Sequence, residues 1–272
     1  MVISDNFISL PVDQQFHLPC VLKSLHYMIV LLFITLSAYP RTFAAPAVLN
    51  NLGHVLSHEQ WDTLLKKYVS ENGEVNYRGL KSEQSKLNAY LEMLSSNPPA
   101  EESRREDEMV YWINAYNAFT VRLILNNYPL KSIRDVKNGK PWDDPFITLG
   151  GKKYSLNNIE HNVLRKKFGD PRIHFAINCA SRSCPKLVNR AFTADQLETQ
   201  LDNAARSFIN DSSKNKITAS DATISEIFKW YKDDFTKHGT LIDYLNTFSS
   251  VKISSNASIR YLNYDWSLNE QP

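Results

Sequence analysis

The apolar positions of this chain change period several times, and each change marks an element. Leu56, Trp61, Leu64, Leu65 and Tyr68 recur at helical spacing behind Ser57, a fair N-cap, which predicts a helix over 56–69. Asn72-Gly73 then turns the chain into a short extended piece, Val75-Asn76-Tyr77, and a second amphipathic helix is predicted from Ser82 to Leu94, closed by Asn97-Pro98-Pro99. The longest helical pattern runs from Glu106 to Tyr128, with Met109, Trp112, Ile113, Tyr116, Phe119, Leu123 and Ile124 on one stripe and Pro129 closing it. Val110, Val121 and Leu125 widen the stripe, so this helix is expected to be central.

Two extended runs about Gly150-Gly151, residues 146–154, predict a tight hairpin, and Ser155 caps a helix over 156–168. Arg172 to Asn178 alternates Ile173, Phe175 and Ile177 against His174, Ala176 and Asn178, which predicts a strand ending in Cys179-Ala-Ser-Arg-Ser-Cys184-Pro185. Further helices are expected over 193–208, behind Ser225 with Ile227, Phe228 and Tyr231, and over 241–248, with extended pieces at 217–224 and 260–266. Helices outnumber strands without regular alternation. The expected fold class is therefore α+β, a mostly helical single domain with a small, mainly antiparallel sheet.

The N-terminus has another character. Lys23 leads into the apolar run Met28–Ala38, followed by Pro40 and the small residues Ala44-Ala45. The run is too short for a hydrocarbon core that needs about 20 residues, so residues 1–45 are expected to be a cleaved secretory signal and 46–272 the mature domain, periplasmic or secreted and without a membrane span. Cys20 precedes the run and is no lipid acceptor behind it. Removing Lys23 and Arg41 with Asp5 and Asp13 leaves the net charge at +2. Such a balance lacks the basic footprint of a nucleic-acid binder, and a small molecule or peptide is the expected partner.

Candidate chemistry concentrates in the middle of the chain. Glu160 falls inside the apolar stripe of its helix, between Leu156 and Leu164, with His161 at the stripe's edge. A carboxylate there is either a structural clamp or an acid that orients an imidazole. Cys179, just after the run carrying His174, is placed to be a nucleophile, with His174 or His161 as base, Glu160 or Asn178 holding the imidazole, and the amides of Ala180 to Ser183 facing an oxyanion. Asn114 and Asn117, three apart beside Tyr116, either satisfy neighbouring backbone or line a polar pocket. Against the nucleophile stands a simple disulfide, since Cys179 and Cys184 are the only cysteines after residue 45; so short a loop contributes only about 2 kcal/mol. Zinc held by His161, His174, Cys179 and Cys184 is allowed by residue type and weakly signalled by spacing, so neither a metal nor a cofactor is expected.

Val75-Asn-Tyr77, Tyr111-Trp-Ile-Asn-Ala-Tyr-Asn117, Ile159-Glu-His161 with Leu164-Arg165, Arg172-Ile-His-Phe-Ala-Ile-Asn-Cys179 and Tyr264-Asp-Trp-Ser-Leu-Asn269 together resemble the domain of unknown function 547 family. The resemblance brings no established reaction. It implies that Asn114, Asn117, Glu160, His161, His174 and Cys179 matter more than Cys184, which favours a site containing Cys179 over the disulfide.

Overall fold

Helix α4, Arg105–Asn127, is buried on every side from Met109 to Val121, and the other elements are arranged around it. The computed structural model describes residues 56–272; the expected signal segment lies outside the described residues. Before α4 come α1 (Glu59–Tyr68), α2 (Tyr77–Ser82) and α3 (Gln84–Ser96). Of the extended piece expected at 75–77, only Val75 pairs, with Val69 and Glu270, while Tyr77 opens α2. The reason is local: the Asn76 side chain accepts the Gly79 N–H at 2.7 Å and so caps a helix. Gly73 turns the chain at φ +82°, and a side chain there would sit 2.3 Å from Cβ of Lys186.

The hairpin forms as expected: β1 (Ile147–Leu149) pairs antiparallel with β2 (Lys152–Tyr154) around Gly150 and Gly151. A π-helix, Asn158–Phe168, follows, burying Ile159, Glu160 and Leu164. The segment expected as a strand at 172–178 is instead the short helix α5 (Ile173–Ala176). Its residues are buried on both sides of the alternation, so the period of two carried no information about which face met water.

The remaining elements are α6 (Leu197–Ile209), β3 (Lys216–Ile217), β4 (Asp221–Ser225), α7 (Ile227–Trp230), α8 (Lys232–Phe235), α9 (Leu241–Phe248) and β5 (Ser258–Leu262). β3 and β4 pair antiparallel, whereas β4 and β5 pair parallel from Asp221↔Ser258 to Ser225↔Leu262. The described residues thus form a mostly helical α+β fold with two small sheets. The last strand stops at Leu262; beyond it only isolated bridges form among the described residues, from Leu268 to Ser181 and from Glu270 to Val75.

Two apolar cores result. One gathers α1 to α4, the hairpin and the π-helix; the other gathers the end of α6 with β4 and α7 to α9. Helix α5 joins them, placing Ile173, Ala176 and Ile177 in the first and Phe175 in the second. The loop carrying both cysteines therefore leaves from a piece of chain anchored on two sides. No helix among the described residues is long and apolar enough to cross a membrane.

Candidate active site

A pocket of about 220 Å³ opens where these elements meet, and its wall includes Tyr116 of α4, Glu160 of the π-helix, His174 of α5, Cys179 and Cys184. Trp142, Trp230, Tyr231, Tyr264 and Trp266 complete it with aromatic surface. Of the residues singled out from the sequence, Cys179, His174, Glu160 and Tyr116 therefore share one cavity.

His174 is almost fully buried, stacked on Tyr231 with ring centroids 3.9 Å apart, and its Nε2 lies 2.7 Å from Oδ2 of Asp234. A carboxylate only accepts, so Nε2 carries the hydrogen and Nδ1 is the basic nitrogen of the neutral ring. Burial pushes the imidazole pKa down, against the upward pull of Asp234, which keeps the ring neutral near pH 7. Asp234 is held well below the ordinary carboxylate range by its bond to His174 and, beyond that, by the guanidinium of Arg165. Arg165 grips it with two bonds, Nε to Oδ2 at 2.7 Å and Nη2 to Oδ1 at 3.1 Å. The side chain bonded to the imidazole is thus Asp234, and not Glu160 or Asn178, the two expected to hold it.

His161 takes another part. It lies off the pocket wall, with Nδ1 3.0 Å from Nη1 of Arg165. Since a guanidinium only donates, the ring buttresses Arg165 from behind.

Cys179 is partly open to solvent, and its Sγ lies 2.7 Å from Sγ of Cys184, 3.2 Å from Oγ of Ser181 and 3.3 Å from the Tyr264 hydroxyl. Burial opposes the thiolate, yet hydrogen bonds from Cys184, Ser181, Tyr264 and the Ser181 backbone outweigh it and lower the pKa of this thiol. Burial pushes Cys184 the other way, as does its hydrogen bond to Cys179. Both cysteines are free thiols, and Cys179 and His174 face the cavity without hydrogen-bonding each other.

The backbone amides expected to cradle an oxyanion are already engaged. Ala180 N–H donates to Asn178 Oδ1, Arg182 N–H to Ser267 and Ser183 N–H to Asp265, while that of Ser181 serves the Cys179 sulfur itself. The loop is instead a structural staple against the C-terminal tail. Ala180 adopts left-handed backbone, φ 58°, and the bond from Asn178 helps to hold it there. The amide of Asn178 also donates to the Pro185 carbonyl at 2.7 Å.

Asn114 and Asn117 stand behind the wall, not on it. Asn114 pairs with both backbone groups of Phe192, and Asn117 donates to the Ala176 carbonyl while accepting the Asn178 N–H. Each amide is bonded to backbone through both its nitrogen and its oxygen, so these two residues align the loop while Tyr116 of the same helix faces the cavity. Among the described residues no three His, Cys, Asp or Glu side chains are grouped to hold a metal ion: His161 bonds Arg165, His174 bonds Asp234, and the two cysteine sulfurs meet each other.

Asp234, Trp230 and Trp142 carry no signal of a site in the sequence, and Tyr231 carries only that of a helix position beside Ile227 and Phe228. Asp234 lies in a charged run, Lys232-Asp233-Asp234, that reads as a solvated face, and nothing local ties it to a histidine 60 positions earlier. Tyr264 and Trp266 belonged to a quoted motif without a role.

Residues 100–209 match the model of a family described as protein of unknown function, DUF547. The match supports the resemblance drawn from the sequence over α4 to α6. It contains Tyr116, Glu160, His174 and both cysteines and leaves out Asp234 and Tyr264. No curated protein and no solved structure matches the chain.

Proposed function

We propose that this is an exported thiol-dependent acyl-transfer enzyme, a hydrolase or acyltransferase, with Cys179 as nucleophile and His174 as its base. The observation that carries the reading is a single pocket onto which open both a thiol of lowered pKa and an imidazole fixed by a carboxylate.

In this reading Nδ1 of His174 takes the Cys179 proton and the thiolate attacks a carbonyl carbon of the substrate. The tetrahedral oxyanion forms beside the Tyr264 hydroxyl. Burial, then the nearby cysteines, push that phenol far above its ordinary pKa, so it stays a donor. The intermediate collapses to a thioester as the imidazolium protonates the leaving group. Water or an acceptor, deprotonated by His174, then releases the acyl group and restores the thiol. Asp234 keeps Nε2–H in place throughout, and Arg165 and His161 hold Asp234.

The test is acylation of the reduced protein by an activated ester such as p-nitrophenyl acetate, followed by intact mass and peptide mapping. One acetyl group on Cys179 is expected, absent from Cys179→Ala, with acylation slowed about a hundredfold or more in His174→Ala. A folded wild-type protein that stays unmodified, or an adduct of equal yield in Cys179→Ala, contradicts the proposal.

The 2.7 Å separation of the two sulfurs favours a second reading, a ligand-binding module in which Cys179 and Cys184 are bonded. It predicts that protein purified without reductant contains no titratable thiol and binds its ligand equally well in Cys179→Ser.

A further inference from the structure

We infer that the group seated in this pocket is a primary alkylammonium, a lysine-like amine, belonging to the substrate. The inference rests on the reading of the pocket as a substrate site and adds the chemical class.

Charge is the first argument. Glu160 is the only formally charged side chain on the pocket wall among the described residues. The nearby guanidinium of Arg165 is committed to Asp234 through its two bonds, so that pair is neutral in sum. Glu160 itself is 5% exposed and makes no ion pair among the described residues. Its hydrogen bonds come from the phenols of Tyr116, at 3.3 Å, and Tyr231. Buried carboxylates are nearly always paired with a cation or saturated by donors. Two phenols leave most of this one's acceptor capacity open, toward the cavity.

The mouth supplies the second argument. Trp230 and Trp266 stack with centroids 5.8 Å apart, Tyr264 lies 4.7 Å from the first and 4.6 Å from the second, and Trp142 meets Trp266 edge-on at 5.6 Å. Trp230 is 46% exposed, one of two large hydrophobic residues open to solvent among the described residues. Arg134 already lies over Trp266 and Arg165 over Tyr231, at 5.5 and 5.0 Å, whereas no cation lies over Trp230, Tyr264 or Trp142 among the described residues, and such rings attract cations and cover an aliphatic stem. An anionic group would meet Glu160 with no cation on the wall. A neutral group would leave the carboxylate uncompensated, and a quaternary ammonium offers it no N–H. The cavity of about 220 Å³ equals roughly seven waters at about 30 Å³ each, which suits one side-chain-sized group.

The experiment titrates n-butylammonium, isosteric n-butanol and butyrate into reduced Cys179→Ser protein and reads indole fluorescence, since three tryptophans line the pocket. Working without the nucleophile separates this test from that of acyl transfer: either can fail alone. Binding of n-butylammonium about tenfold or more tighter than n-butanol is expected, with that preference lost in Glu160→Gln. Trp230→Ala, at a half-exposed position outside both apolar cores, should weaken the ammonium severalfold in protein that still unfolds cooperatively. Butanol or butyrate binding as well as the ammonium, or a folded Glu160→Gln that keeps the full preference, overturns the inference. Should Glu160→Gln fail to fold, the ligand ranking and Trp230→Ala decide it.

Discussion

His58 and His174 show how far burial alone moves an imidazole. His58 Nδ1 lies 2.7 Å from the Tyr90 hydroxyl, and burial, only partly offset by the charge of Asp107, lowers its pKa to about 4. In the unfolded chain it titrates near its ordinary 6.5. The native state therefore binds fewer protons than the unfolded state between those values, so stability is full above about pH 6.5 and falls as the pH drops toward 4. The loss attributable to His58 is of order 3 kcal/mol at 1.36 kcal/mol per unit. His174 acts with the same sign; Asp234, whose pKa is depressed, loses its contribution only in stronger acid. Urea unfolding of wild type and His58→Gln from pH 7 to 4.5 should show a steep decline in the first and a shallower one in the second. Parallel declines would remove His58 from the explanation.

At the scale of elements, the hairpin and α9 were legible because their signals are local. Gly150-Gly151 meets the demand for positive φ, and Thr240 with Asp243 forms a reciprocal cap at the start of α9. Helix α5 was not legible, because six successive buried residues, Ile173 to Asn178, look alike whether the backbone coils or extends. Its ending depends on Asn117, the residue after Tyr116 of the pocket wall, which holds Ala176 and Asn178 together. Asn117→Ala leaves a buried carbonyl and a buried N–H without partners, at about 1 to 3 kcal/mol each, so a loss of roughly 2 to 6 kcal/mol is expected in chemical denaturation. A loss below about 0.5 kcal/mol would mean that the loop does not lean on α4.

Across the described residues as a whole, the site is assembled from distant pieces. Cys179, His174, Glu160 and Tyr116 were recognisable in the sequence because each breaks a local pattern or sits in a quoted motif. Asp234, Tyr231 and Trp230 come from the α7–α8 segment, whose apolar residues belong to the second core, and meet the rest of the site only because α5 joins the two cores. Tertiary proximity of this kind leaves no trace in spacing. It also explains why Glu160, five residues from Arg165 and next to His161, reads as the acid in the sequence, when the carboxylate bonded to the His174 imidazole lies 60 positions beyond that histidine.

The central claim, that Cys179 is a pocket nucleophile of lowered pKa, is tested most directly by the pH dependence of its alkylation. Reduced protein is treated with iodoacetamide from pH 5 to 10, and the rate at Cys179 is followed by mass spectrometry beside Tyr264→Phe. The rate should rise with an inflection below the ordinary thiol value of about 8.5, and loss of the Tyr264 hydroxyl bond should move the inflection upward. An inflection at or above the ordinary value, unmoved in Tyr264→Phe, or a Cys179 that stays unalkylated in folded reduced protein, would contradict the account.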